Sequence, residues 1–143
     1  MKTKLKEELK LAMKAQDRLR LDTIRAALSE IQYEEMQKNV QELSDAENLT
    51  VVQREVKKRH EAIQFAEQAS RAEEKTKLQA EIAILEGFLP KQLSSDDLEK
   101  IIIDVKNSVA GASMPVIMKH LKDNYAGQYD GKSASEIVKR VLS

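Results

Sequence analysis

Leu85-Glu86-Gly87-Phe88-Leu89-Pro90-Lys91-Gln92-Leu93-Ser94-Ser95-Asp96-Asp97-Leu98 is the joint on which the chain turns. Before it, Leu78, Ile82, Leu85 and Leu89 recur at helical spacing. Pro90 lacks a backbone N–H and disfavours the α region for Leu89, so the spacing predicts a helix that stops there. Ser94, three residues before Asp97, is placed to cap the next helix by accepting from an N–H that has no carbonyl partner. Leu89 and Leu93 flank the proline and are too apolar for a free linker. The stretch predicts a packed Leu-Pro elbow between two helical bodies, residues 1–90 and 91–143.

Outward from the elbow the pattern stays helical. Leu5, Leu9 and Met13, with Ala12 beside them, mark a first amphipathic helix reaching about Ala15. Asp17 is placed to cap a second, whose seam is Leu21, Ile24, Leu28 and Ile31 and whose end is near Lys38. Ser44 and Glu47 form a capping box for a third, with Leu49, Val52, Val56, Ile63 and Ala66 on one face and Arg59 in the gap. The pattern loosens at Ala69-Ser70-Arg71. A fourth helix follows, in which Ile84 and Phe88 widen the apolar face, as contact with more than one neighbour requires. Beyond the elbow, Leu98, Ile101, Ile102 and Val105 predict a fifth helix ending near Gly111. Pro115 opens a sixth, carrying Val116, Ile117, Leu121 and Tyr125 and stopped by Gly127. Asp130-Gly131 is a turn signal, and Ser133 with Glu136 reads as a capping box for the last helix. The expected class is all-α: an N-terminal body of about four helices and a small C-terminal body of three.

Composition agrees with this. Of 143 residues, 3% are aromatic, with two prolines and four glycines, a mixture that favours helix over a β-sandwich or barrel. Twenty-four basic and 24 acidic side chains cancel. Residues 1–90 hold 16 basic and 17 acidic side chains, and residues 91–143 hold 8 and 7. That balance argues against a broad, non-specific nucleic-acid binder while leaving room for a local basic face. The absence of cysteine rules out disulfides, thiolate metal sites and cysteine nucleophiles, and is compatible with a reducing compartment. No apolar run approaches the ~18–20 residues of a membrane span. The expectation is a cytoplasmic protein with no membrane contact.

At this point the chain resembles the YqeY family, which shares its domain with the tail of the GatB subunit of tRNA-dependent amidotransferases. The resemblance rests on Leu21-Asp22-Thr23-Ile24-Arg25, on Arg54-Glu55-Val56-Lys57-Lys58-Arg59, and on Arg71, Glu81, Ile84-Leu85 and Leu89-Pro90-Lys91-Gln92-Leu93. Met114, Met118 and the turn Gly127-Gln128-Tyr129-Asp130-Gly131-Lys132 complete the order. It implies an all-α protein whose C-terminal three-helix body is like the GatB tail, which helps hold tRNA while chemistry lies in other domains. This chain departs where the family often carries Gly-Lys after the first tail methionine, having Pro115-Val116, and where Gln128 and Tyr129 replace Arg-Ala. Two basic groups are thereby missing.

The residues offer little chemistry of their own. His60-Glu61 begins like a zinc-protease helix, but Gln64 stands where the second histidine is needed. Glu73-Glu74 and Asp96-Asp97 sit at helix starts, where negative charge favours the dipole. Ser44, Ser94 and Ser133 read as caps, and no Gly-rich phosphate loop exists. No catalytic residue, cofactor or metal ligand set is expected. Two basic clusters remain. Arg54, Lys57, Lys58 and Arg59 read first as a solvated helix face relieved by nearby acids. Lys119, Lys122, Lys132, Lys139 and Arg140, with Tyr125 and Tyr129 nearby, form a candidate nucleic-acid surface: lysines for phosphate, a tyrosine for a base. The plainer alternative makes Tyr125 core, Tyr129 a turn residue and the lysines ordinary surface.

Three functions follow as expectations. The first is a non-catalytic accessory protein linked to tRNA or amidotransferase biology, with tRNA held weakly and salt-sensitively, or with a protein partner. The second, implied by the resemblance, is a carbon–nitrogen ligase with glutamine as amido-N-donor. The third is a homo-oligomeric module using the seam of the second helix.

Overall fold

A computed structural model describes residues 1–143. The structure is all-α, with seven helices: α1 Lys2–Ala15, α2 Arg18–Lys38, α3 Asp45–Gln68, α4 Ala72–Glu86, α5 Ser95–Ser108, α6 Met114–Asn124 and α7 Gly131–Leu142. They divide into two compact units, Met1–Leu89 and Pro90–Ser143. No helix is long and apolar enough to cross a membrane.

In the N-terminal unit, α1 pairs with α2, α3 pairs with α4, and α2 packs on both α3 and α4. Asp17 caps α2 by accepting from Arg20 N at 3.2 Å. Ser44 and Glu47 close the predicted capping box on α3: Glu47 N donates to Ser44 Oγ at 3.2 Å and Ser44 N donates to Glu47 Oε1 at 3.1 Å. Two clusters share the core. Leu5, Ile24, Leu28, Ile31, Leu43, Val51 and Phe88 make one, with Ile84 against it. Ala27, Val52 and Leu85 make the other, with Val56 and Leu89 against it. The widened face of α4 is explained by this division: Ile84 and Phe88 serve the first cluster, Leu85 and Leu89 the second.

The elbow differs in detail from expectation. α4 ends at Glu86, and Gly87–Leu89 turn more tightly, with Phe88 N donating to Leu85 O at 3.0 Å and Leu89 N to Glu86 O at 3.1 Å. A residue before proline is pushed out of the α region, so the last turn tightens ahead of Pro90. Two other readings shift. Met13 is 52% exposed while Ala12 is buried. Each four-residue step overshoots a full helical turn by about 40°, which carries a Leu5-Leu9-Met13 line off the core by its third member. On α3, Val52 and Ala66 of the expected face are buried, but Leu49, Val56 and Ile63 are half-buried, and Asn48, Val51 and Glu55 are buried beside Val52 instead. An apolar-only periodicity misplaces a face that carries partnered polar groups.

In the C-terminal unit, α5, α6 and α7 pack on one another around Leu98, Ile102, Val105, Ile117, Leu121, Ala134, Ile137 and Val138. Ser94 caps α5 through Asp97 N at 3.1 Å. Gly127 has φ 77, the left-handed region that favours glycine, and makes the reversal between α6 and α7. Leu93 N donates to Gln128 O at 2.8 Å and Gln92 Nε2 to Gly127 O at 2.6 Å, pinning the segment before α5 to that reversal. The cap of α7 is a correction. Asp130, not Ser133, is the N-cap, accepting from Ser133 N at 3.2 Å and Ser133 Oγ at 3.0 Å. A carboxylate three residues upstream is a stronger acceptor than a hydroxyl, so the helix begins at Gly131.

Glu47 supplies a pH dependence. Its carboxylate accepts from Lys38 and from Ser44, and these hydrogen bonds lower its pKa from 4.5 to about 2. A depressed carboxylate contributes stability that is present above its unfolded pKa and lost as pH falls through the folded value. The expected result is that wild type is more stable than Glu47→Gln at pH 7. The gap should narrow as pH drops from 4.5 towards 2, read as urea midpoints of both proteins at each pH. A gap independent of pH would refute the assignment.

Candidate functional site

The five basic residues of the C-terminal surface all lie on α6 and α7 and all are exposed. On α6 the core side is set by Ile117 and Leu121. Lys119, two residues from each, stands on the opposite side, and Lys122 is its neighbour three residues on. On α7 the core side is set by Ala134, Ile137 and Val138. Lys132 and Lys139 are seven residues, about two turns, apart and share the outer stripe. Arg140 leaves this set: its Nη2 lies 3.0 Å from Glu99 Oε2 on α5. The structure therefore arranges the candidates as two lysine pairs on two helices, with the arginine neutralised.

Ion pairing separates the two units. Of eleven ion pairs within the N-terminal unit, several join different helices, among them Lys2–Glu35 at 3.0 Å, Arg20–Glu8 at 2.9 Å and Arg54–Glu34 at 2.9 Å. The C-terminal unit contains the single pair Arg140–Glu99. Lys119, Lys122, Lys132 and Lys139 pair with no acid. An unpaired surface ammonium keeps its full charge for a phosphate, and no existing bridge need break first.

Other features weaken parts of the expected surface. Tyr125 and Tyr129 are half-buried against the C-terminal core, and burial raises the pKa of Tyr129. The Tyr125 ring is tilted 50° to the His120 ring with centroids 6.2 Å apart. Neither tyrosine is a free platform for a base. The N-terminus of α7, beside Lys132, already holds the Asp130 carboxylate, so the positive end of that helix is occupied by an anion of the chain itself.

The helix-three cluster is also rearranged. Arg54 binds Glu34, Lys58 lies 3.2 Å from Glu55, and Arg59 lies 2.9 Å from Glu55 and 3.4 Å from Glu81. Arg59 is only 13% exposed, so it is an inward charge and not part of a solvated face. Only Lys57 of this group stays exposed and unpaired. His60 is exposed, and no group of three His, Cys, Asp or Glu side chains is placed to hold a metal.

Sequence reasoning passed over three buried polar residues. Glu35 accepts from Lys2 Nζ at 3.0 Å and from Leu43 N at 3.3 Å, tying α1 to the loop after α2. Thr23 Oγ1 donates back to Leu19 O at 2.8 Å. Asn48 is 4% exposed. The available signal was position: Asn48 and Glu55 flank Val51 and Val52 at helical spacing, and so share their face.

No curated protein matches this sequence. The family model described as Yqey-like protein matches residues 2–142, essentially the whole chain. With an all-helical fold and that match over its full length, the chain belongs to the YqeY family.

Proposed function

We propose that this protein is a non-catalytic helical accessory protein of the GatB/YqeY type, cytoplasmic and tied to tRNA or to tRNA-dependent amidotransferase biology through its C-terminal unit. The observation that carries this reading is the set of four unpaired lysines on α6 and α7, in the body that resembles the tRNA-holding tail of GatB. Partly buried tyrosines and an occupied helix N-terminus make the surface an electrostatic one, reading phosphates and not bases.

Each phosphate contact contributes roughly 0.7–0.9 to the slope of log affinity against log salt. Two or three contacts give weak binding that fades between low and physiological salt. The test is fluorescence anisotropy of labelled tRNA against wild type and the double charge reversal Lys119→Glu with Lys132→Glu. Wild type should bind at low salt and the double variant should not, with equal thermal midpoints. No binding by wild type at low salt, or equal binding by the variant, would make this a protein-interaction surface instead.

The ligase alternative has its own assay: ammonia release from glutamine by the purified chain with ATP and charged tRNA, where robust turnover would overturn the accessory reading. The oligomer alternative relied on the seam of α2. Ile24, Leu28 and Ile31 of that seam are buried in the chain's own core, so it is not free to join copies.

A further inference from the structure

Helix α2 has two faces with a use for apolar residues. Ile24, Ala27, Leu28 and Ile31 are buried in the N-terminal core. At 3.6 residues per turn, Ala26, Ser29, Tyr33 and Met36 fall on the side turned away from that core. They follow one another at three, four and three residues, the spacing of a coiled-coil seam. Tyr33 is 56% exposed and Met36 77% exposed, so two large side chains of this seam lie open. We propose that this outer face of α2 joins a second copy of the chain, α2 beside α2, as a parallel two-fold pair.

The flanking charges choose the partner and its direction. Arg25 stands just before Ala26, and Glu30 just after Ser29. The Arg25 side chain is exposed, Glu30 is half-buried, and neither has a partner within the chain. In a parallel two-stranded coil, the residue before one seam position faces the partner's residue five further on, and such pairs set partner and orientation. Arg25 of one copy therefore meets Glu30 of the other, and the two-fold axis repeats the pair. One heptad later Gln32 meets Gln37 in the same way, amide to amide. An antiparallel copy would set like flanks together, Arg25 and Gln32 against Arg25 and Gln32, and leave the arginine without an acid. This face is distinct from the buried Ile24-Leu28-Ile31 seam, and does not depend on the lysines of α6 and α7.

The experiment is sedimentation velocity of the full chain from about 5 to 500 µM, a range that brackets a small interface of two heptads. Wild type should pass from monomer to dimer with a dissociation constant on the order of 10–100 µM. Tyr33→Glu with Met36→Glu should stay monomeric throughout, with an unchanged thermal midpoint because both residues are exposed. Arg25→Glu alone and Glu30→Arg alone should each weaken the dimer by about fivefold, and an equimolar mixture of the two should associate as wild type does. The chain has no cysteine, so Ser29→Cys supplies a single thiol. A parallel seam brings that thiol onto its own copy, and mild oxidation should link most of the protein into dimers. Wild type that stays monomeric would overturn the proposal and leave the face to a different protein. A dimer undiminished by the two glutamates, a charge-swapped mixture no tighter than its components, or no disulfide in Ser29→Cys would also overturn it.

Discussion

Leu85→Ala should lower the stability of this protein by about 2–5 kcal/mol. Leu85 is fully buried, with a relative exposure of 0%. It packs with Ala27 of α2 and Val52 of α3, which are also fully buried, so its side chain is where three helices meet. Truncation removes apolar surface that was out of water and leaves a void that three separate backbones must close. The two neighbours are small or β-branched and cannot swing in to fill it. Phe65→Ala is the control: Phe65 is larger but 71% exposed, and its loss should stay within about 0.5 kcal/mol. The measurement is the urea midpoint of both variants at constant slope. A Leu85→Ala midpoint equal to wild type would show that the stripe before the elbow is not core.

Leu85 also shows why the fold was legible. Its neighbours in sequence repeat at helical spacing, and Pro90 punctuates the repeat five residues on. Capping residues are local signals, since Ser44, Ser94 and Asp17 each act on an N–H group three residues away. Such signals need no knowledge of tertiary contacts, and they place the starts of α2, α3 and α5 correctly. The Ser133 reading failed where two local signals compete. Asp130 and Ser133 are both good caps three residues apart, and only the stronger acceptor can start the helix.

The candidate surface was only half legible, for a physical reason. Sequence shows where lysines are, but pairing depends on what another helix brings within reach. Arg140 looks equivalent to Lys139 until Glu99 is found 3.0 Å away on α5. Arg59 looks like surface until Glu55 and Glu81 enclose it. Asn48 is the reverse case: its lack of a partner can be seen only when every neighbouring atom is in place. Long-range partnering decides whether a charge is free, neutralised or buried, and helical periodicity carries no record of it.

Arg59→Met should destabilise the protein by about 3–5 kcal/mol, comparably to the core truncation. The guanidinium joins α3 to α4. Nη1 donates to Glu55 Oε2 at 2.9 Å and to Glu55 O at 3.0 Å. Nε lies 3.4 Å from Glu81 Oε2, near enough for attraction but not aligned as a hydrogen bond, and is otherwise buried without a partner. Glu55 and Glu81 are 7% and 16% exposed, so neither carboxylate is well hydrated. Methionine keeps most of the volume and removes the charge. Glu55 would retain Lys58 at 3.2 Å, whereas Glu81 would be left inside the hairpin with no cation. An unpaired, poorly hydrated charge accounts for the expected loss, since breaking one partner out of such a cluster costs far more than the cluster itself contributes. The triple variant Arg59→Met, Glu55→Leu, Glu81→Leu separates the two ideas. If desolvated charge is the cause, removing all three charged groups should recover most of the stability lost in the single variant. Urea midpoints of wild type, single and triple variants at neutral pH decide the matter. A single-variant loss below about 1 kcal/mol would mean that these charges behave as an ordinary surface network.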